Sequence, residues 1–112
     1  MKSRYFSDKP VQKLHLSALD YTRTIVSGKW KLRIICTLMQ GKNRFTDIEL
    51  AWPSISARML SIELKELEMN GIVIRKEADI SHGRYVYELT ETGKGLFQII
   101  DKMVDWGLKQ RK

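Results

Sequence analysis

One continuous run of sequence, from Arg44 to Gly95, constrains the fold of this chain most strongly. It reads RFTDIELAWPSISARMLSIELKELEMNGIVIRKEADISHGRYVYELTETGKG. A short segment with helical spacing is followed by a turn, a longer helical segment from about Ser56, and two strand-like segments around a polar tip. Pro53 biases Trp52 away from helical geometry, so the two helical segments cannot merge. The run therefore predicts a helix-turn-helix followed by a β-hairpin.

Apolar residues also recur at helical spacing on both sides of this run. We predict five helices, at about 14–26, 30–39, 46–52, 56–70 and 90–109, and two strands, at 72–77 and 84–89. The predicted fold class is mainly α with a small β-hairpin (α+β), that is, a winged helix-turn-helix with five helices and a two-stranded wing.

Local signals support several of these boundaries. Thr46 and Glu49 have the spacing of a capping box at the start of the third helix. Asn70 and Gly71 are typical of a left-handed cap at the end of the fourth helix. The second helix contains LRIICTLM, which is apolar almost all round and indicates a helix buried in the middle of the domain.

Charge indicates the kind of partner. The 112 residues carry a formal net charge of +7, which favours an anionic partner such as nucleic acid. Residues 1–40 hold eight Lys and Arg but only two acidic residues. We expect the positive field to come from the N-terminal arm, from the cations around the second helix and from the C-terminal tail. These are Lys2, Arg4, Lys9, Lys13, Lys29, Lys31, Arg33, Lys109, Arg111 and Lys112.

Several other classes of protein are not expected. No segment resembles a signal peptide or a membrane span, so we expect a cytoplasmic protein. One cysteine and two histidines leave no metal-ligand spacing. No catalytic order of Ser, His and Asp, no phosphate-binding loop and no carboxylate pair can be assembled, so we expect neither enzymatic activity nor a cofactor.

Double-stranded DNA is the expected partner, because the second helix of a helix-turn-helix enters the major groove. Short or forked side chains in the first half of the fourth helix can approach base edges or grip phosphate. The candidates there are Ser56, Ala57, Arg58 and Ser61, with Lys65 further along. Glu63, Glu66 and Glu68 would point away from the duplex.

Four further candidates lie outside the fourth helix. Arg44 and Thr46 lie at the start of the third helix, where a phosphate can bind, although Arg44 could instead pair with Asp47 or Glu49. His82 and Arg84 lie in the wing, where a phosphate or the minor groove is within reach. An ordinary exposed charge remains the alternative for Arg84.

The last helix is apolar over more of its circumference than one small domain can bury. We therefore expect part of it to contact a second subunit. Its apolar residues are Leu96, Phe97, Ile99, Ile100, Met103, Val104 and Trp106. Cys36, in the apolar second helix, is expected to be a small hydrophobe buried on nearly every side, which would raise its pKa and make it unreactive. The three tryptophans are expected to be core and interface anchors.

Taken together, these segments resemble the HxlR-type family of bacterial winged-helix transcriptional regulators over about residues 14–107. The resemblance depends on short pieces in a fixed order: Gly28-Lys29-Trp30, Arg44-Phe45, Ile55-Ser56, Leu60, Leu64, Leu67, Gly71, Arg84, Tyr87, Leu89-Thr90-Glu91, Gly93 and Trp106-Gly107. It implies a homodimer formed by the first and last helices, each subunit placing one recognition helix on half of an inverted repeat.

The chain departs from this family at three positions. Many members carry a cysteine near the start of the first helix, and several use it to sense oxidants or electrophiles. That position is Ser17 here, so sensing by that route is not expected. His82-Gly83 stands where proline is frequent in the wing, and Asp47 stands where glutamate is common.

The sequence therefore predicts a homodimeric, sequence-specific, DNA-binding transcriptional regulator. Residues 1–13 would form a flexible basic arm, and residues 14–112 a winged-helix DNA-binding domain that includes both dimerisation helices. The alternative is a winged-helix module that binds only proteins, since one fold can host unrelated functions. A small-molecule effector at the dimer interface, near Tyr21, Phe97 and Trp106, is a further possibility.

Overall fold

The computed structural model describes residues 3–6, 10, 12–79 and 84–111. Its elements are α1 Lys13–Ile25, α2 Lys31–Met39, α3 Phe45–Ala51, α4 Ala57–Met69, β1 Val73–Asp79, β2 Arg84–Leu89, α5 Glu91–Lys94 and α6 Phe97–Gln110. This order confirms the predicted winged helix-turn-helix. Within the described residues, no helix is long and apolar enough to cross a membrane.

Helix α2 lies in the middle of the molecule, as its apolar sequence predicted. Ile34 and Ile35 are fully buried, and every residue of α2 is at least half-buried. Around α2 the core is completed by residues from α3, α4, β1 and α6, among them Ile48, Leu60, Leu64, Leu67, Val73 and Ile100. Helix α1 contributes only Ile25 to this core. The first helix is thus packed much less closely than the second.

The start of α3 differs from the prediction. The Thr46 and Glu49 capping box does not form, because α3 begins one residue earlier, at Phe45, with Arg44 as the N-cap. The backbone N–H of Arg44 donates a hydrogen bond of 3.3 Å to Asp47 Oδ2. A carboxylate three residues after the N-cap satisfies the same orphan donor that the predicted glutamate would have satisfied.

The ends of α4 follow the local signals. The hydroxyl of Ser56 accepts a hydrogen bond of 3.0 Å from the backbone N–H of Met59, which makes Ser56 the N-cap. At the other end Gly71 has a φ of 73°, and the backbone N–H of Ile72 bonds back to the carbonyl of Leu67. That left-handed turn leads the chain directly into β1.

The two strands pair antiparallel, with Val73 opposite Leu89 and Glu77 opposite Tyr85, and the register shifts between Glu77 and Asp79. β1 begins one residue later than predicted and extends two residues further. The predicted tip around His82 lies outside the described residues.

The predicted last helix is present as two pieces. Thr90 caps α5 by accepting a hydrogen bond from the backbone N–H of Gly93, and its hydroxyl also reaches the carbonyl of Gly71 at 2.6 Å. Between α5 and α6, the N–H of Leu96 bonds to the carbonyl of Gly93, three residues back. This tighter turn separates α5 from α6.

Candidate DNA interface

Helix α4 presents one apolar face and one exposed polar face. Leu60, Leu64 and Leu67 are buried against the core, because residues three and four apart share one side of a helix. The predicted candidates on this helix, Ser56, Ala57, Arg58, Ser61 and Lys65, are all exposed. The capped N-terminal half of α4 is therefore open to a large ligand.

A groove of about 590 Å³ lies beside this half of α4. Its walls come from the start of α3, from α4 and from β2, and its lining residues are Arg44, Phe45, Thr46, Ser61, Arg84, Tyr85 and Tyr87. Four of the nine predicted residues, Arg44, Thr46, Ser61 and Arg84, thus lie on one surface. We call this surface the cationic groove, since its two charged residues are both arginines.

A backbone contact that the sequence did not reveal holds the cationic groove together. The N–H of Tyr87 donates a hydrogen bond of 2.8 Å to the carbonyl of Asn43, and Arg44 forms a single antiparallel bridge with Val86. This bridge fixes the start of α3 beside the wing. A lone bridge has no periodic pattern, so only the folded structure exposes it.

The same bridge leaves the Arg44 side chain at the groove. Among the described residues, Arg44 forms no ion pair with Asp47 or Glu49, contrary to the alternative considered from the sequence, and Asp47 instead receives its backbone N–H. Arg44 and Arg84 both line the groove together with Ser61. Two guanidinium groups can hold phosphate oxygens through paired hydrogen bonds.

A second hollow continues from the cationic groove along α4, and it brings the predicted Lys65 together with Arg75, which the sequence did not indicate. The guanidinium carbon of Arg75 is 4.5 Å from the centroid of the Tyr85 ring. Tyr87 is shared by both hollows. Burial raises the pKa of Tyr87, partly opposed by the charge of Arg75. The tyrosine therefore keeps its proton at neutral pH and can donate a hydrogen bond.

Two cations expected to contribute to the positive field are engaged elsewhere. Lys31 is 6% exposed, and its ammonium contacts Glu63 Oε2 at 2.6 Å and Glu66 Oε2 at 2.5 Å. Burial alone would lower the pKa of Lys31, but the two carboxylates outweigh it and raise the pKa above its ordinary value. The expectation that Lys31 supplies surface charge was wrong, because Lys31 is buried and paired with two carboxylates. The sequence did not indicate this, because both partners come from another helix.

The other cation is Arg33, whose guanidinium carbon lies 5.4 Å from the Trp30 ring centroid and 5.1 Å from that of Trp52. The indole N–H of Trp52 donates a hydrogen bond of 2.8 Å to Thr37 Oγ1. These two tryptophans are anchors of the folded domain, as expected. Cation–π contacts hold the Arg33 side chain against the two indole rings. Arg33 is therefore half-buried and less available to a ligand than a free surface cation.

Cys36 was predicted to be buried on nearly every side, and this was too strong. It is half-buried, on the rim of a hollow that it shares with Leu32, Trp52, Met103 and others. Cys36 is only half-buried because α6 covers only part of α2. Burial still raises the pKa of the thiol, and the carboxylate of Asp101 raises it further.

A capped recognition helix beside a cationic groove and a β-wing is the geometry of a winged-helix DNA-binding protein. The chain belongs to the HxlR family of such proteins, since the family model described as HxlR-like helix-turn-helix matches residues 25–112. The resemblance inferred from the sequence is thereby confirmed.

Individual relatives agree with this family. The chain is 37% identical over 92 residues to the uncharacterized HTH-type transcriptional regulator YdzF of Bacillus subtilis (strain 168), spanning 81% of this chain and 84% of the relative. It is 36% identical over 105 residues to an uncharacterized HTH-type transcriptional regulator of Methanothermobacter thermautotrophicus, spanning 94% of this chain and 80% of the relative. The chain is thus a helix-turn-helix transcriptional regulator.

Solved structures show the same fold. The redox regulator HypR in its reduced form matches with a TM-score of 0.79 and 36% identity, covering 85% of this chain and 94% of HypR. The reduced form of the transcriptional regulator YodB from B. subtilis matches with a TM-score of 0.73 and 35% identity, covering 80% of this chain and 87% of YodB.

Proposed function

We propose that this chain regulates transcription as a homodimer that binds a specific inverted-repeat operator. The observation that carries the proposal is the cationic groove, where Arg44, Thr46 and Arg84 converge beside the exposed N-terminal half of α4. Such a surface can contact a DNA backbone while the helix reads base edges. Operator DNA in a bacterial cell lies in the cytoplasm, where we expect this protein to act.

In this proposal the contacts divide into two kinds. Arg58, in the first turn of α4, reads a base edge, because a guanidinium can donate two hydrogen bonds to guanine in the major groove. Ser56 and Ala57 are short enough to let the helix end approach the bases. The remaining candidates, Arg44, Thr46, Ser61, Lys65, His82 and Arg84, position the protein on the phosphate backbone.

The homodimer is inferred from apolar surface at the two ends of the chain. On α1 the exposed residues include Leu14, Leu19 and Tyr21, and on α6 they include Met103, Val104, Trp106 and Leu108. Leu14 is 73% exposed and Leu108 is 70% exposed. Apolar patches of this extent usually mark a contact surface. A second copy that covers both helices would remove these side chains from water.

The same surface bears on the suggested effector. Tyr21 and Trp106 are 64% and 68% exposed, so they could enclose a ligand only where a second subunit covers them. DNA binding, as proposed above, does not depend on such a ligand. A ligand between the subunits would act by changing the separation of the two recognition helices.

Selection of bound sites from random duplex DNA tests the proposal. We expect the recovered sites to converge on one sequence with two-fold symmetry, and binding to weaken steeply as salt is added, because cations on the protein displace counterions from the duplex. Recovery of no preferred sequence, or affinity unchanged by salt, would favour the alternative of a module that binds only proteins.

A further inference from the structure

The buried ammonium of Lys31 lies outside both the apolar core and the proposed DNA-facing surface. Lys31 is the first residue of α2, and its two partners, Glu63 and Glu66, lie on α4. The Lys31 and Glu63 side chains are 8% and 14% exposed, whereas that of Glu66 is 49% exposed. The contact thus joins the central helix of the domain to the recognition helix. We call these three residues the ionic cluster.

The ionic cluster lies on one flank of the buried face of α4. With about 100° between successive residues of a helix, Glu63 and Glu66 lie on one flank of the buried face and Ser61 on the other. The stripe of Leu60, Leu64 and Leu67 separates the two flanks. Burial of the leucines is non-directional and depends on the apolar area removed from water, so it sets the rotation of α4 about its axis only coarsely. A short charge-assisted hydrogen bond to Glu63 and a salt bridge to Glu66 on one flank do resist that rotation.

We propose that Lys31 is a positioning residue for DNA recognition, which fixes the rotation of α4 and hence the directions in which Arg58 faces the bases and Ser61 faces the phosphate backbone. This inference depends on the DNA-binding function proposed above. Stability alone does not explain the cluster, because the desolvation cost of a buried ion pair commonly cancels its attraction. A site that reads bases needs side chains held to within about 0.5 Å, and such precision depends on supporting contacts.

The test compares specific with non-specific binding. The double variant Lys31→Met/Glu63→Gln removes one positive and one negative charge, so the net charge of the protein is unchanged. We measure the affinity for the selected operator and for a scrambled duplex at one salt concentration, well below the melting temperature. The ratio of the two affinities should fall about tenfold, the scale of losing one base-pair contact, while binding to the scrambled duplex stays constant.

Two further variants make the result specific. The matched control Lys94→Met/Glu91→Gln removes an exposed pair, 3.4 Å apart on α5, with the same change of side chains, and it should leave the ratio unchanged. The single variant Glu66→Gln removes only the half-exposed contact and should lower the ratio less. It serves as the test if the double variant does not fold, as judged by circular dichroism.

An affinity ratio that stays at the wild-type value in the folded double variant, or in Glu66→Gln where that serves, would overturn the positioning role of Lys31 and leave the proposed function intact. A wild-type protein that selects no DNA sequence would overturn the proposed function, and the positioning role with it.

Discussion

Residues of the same charge have different roles in this molecule because their surroundings differ. Lys31 is enclosed by carboxylates, Arg33 lies against two indole rings, and Arg58 extends from the first turn of α4 into solvent. Only the last of these can move onto a base without breaking a contact within the protein. The tertiary contacts of each cation, more than the total charge of +7, therefore decide which ones are available to DNA.

Arg58 gives the first prediction. Arg58→Ala should weaken binding to the operator by about 1–3 kcal/mol and relax the preference at one base position, because it removes a paired contact to a base edge. Lys65→Ala is the comparison, since it removes an exposed cation from the same helix. That change should weaken binding to all sequences by similar factors. Titration of each variant against operator and scrambled duplexes distinguishes the two. Unchanged operator affinity in Arg58→Ala would remove this residue from the base-reading surface.

Cys36 gives the second prediction, which is that DNA binding is insensitive to mild thiol oxidants. Burial and the carboxylate of Asp101 raise the thiol pKa above its ordinary value of 9.0, so the reactive thiolate is scarce at neutral pH. The frequent sensing position of the family is Ser17 in this chain. A gel-shift assay during a diamide titration should show constant binding, and the rate of Cys36 alkylation by iodoacetamide should still be rising with pH above pH 9, because the raised pKa leaves the thiol largely protonated there.

Cys36→Ser is the control for this experiment and should behave as the wild type does. Release of DNA by oxidant in the wild type, together with resistance in Cys36→Ser, would instead identify Cys36 as a sensor. The half-buried position of the thiol makes the experiment necessary, since burial is less complete than its sequence context indicated.

At the scale of elements, features specified by neighbouring residues were predictable and those set by tertiary packing were not. The start of α4 at about Ser56 and the left-handed turn at Gly71 were both found where the sequence predicted them. The cap of α3 was assigned to the wrong residue because Thr46 and Asp47 offer two overlapping patterns. The division between α5 and α6 coincides with the turn in which the N–H of Leu96 bonds to the carbonyl of Gly93, and the sequence had predicted one continuous helix there.

The same distinction applies to the candidate site. Arg44 and Arg84 were selected separately from the sequence, yet their common groove depends on the bridge between Arg44 and Val86. Arg75 was overlooked because a charged residue in an exposed strand carries no signal of its own. Its contact with the Tyr85 ring exists only once the two strands are in register.

Gly93 gives the third prediction. A Cβ atom at this position would overlap the carbonyl oxygen of Ile72 and approach Leu89 within 3.1 Å. Because the first obstacle is backbone, relief requires α5 to move away from Ile72, the residue just before β1. Gly93→Ala should therefore lower the free energy of unfolding by roughly 1–3 kcal/mol, as measured by urea denaturation. Thr92→Ala, an exposed neighbour in α5, is the control and should change stability by less than about 0.5 kcal/mol.

At the scale of the whole molecule, the apolar residues divide between a closed core and an open surface. The core joins α2, α3, α4, β1 and α6, and it supports the recognition helix and the wing. The open surface lies on α1, which adds only Ile25 to the core, and on the outer side of α6. A helix of this length is marginally stable alone in water and depends on packing against other elements, and α1 has little such packing within its own subunit. The arrangement of the chain therefore favours a partner subunit on α1 and α6.

This surface gives the last prediction, that the protein is a dimer whose two recognition helices lie about 34–36 Å apart, one turn of DNA. Trp106→Glu places a charge where an apolar side chain is 68% exposed on α6, and it should yield a monomer in sedimentation experiments at micromolar concentration. Leu50→Glu is the matched control, because Leu50 is 79% exposed on α3, away from the proposed interface, and that variant should remain a dimer. A monomer binds only one half-site, so Trp106→Glu should also lose most of its operator affinity. A wild-type protein that sediments as a monomer, or selected sites without two-fold symmetry, would contradict the dimer.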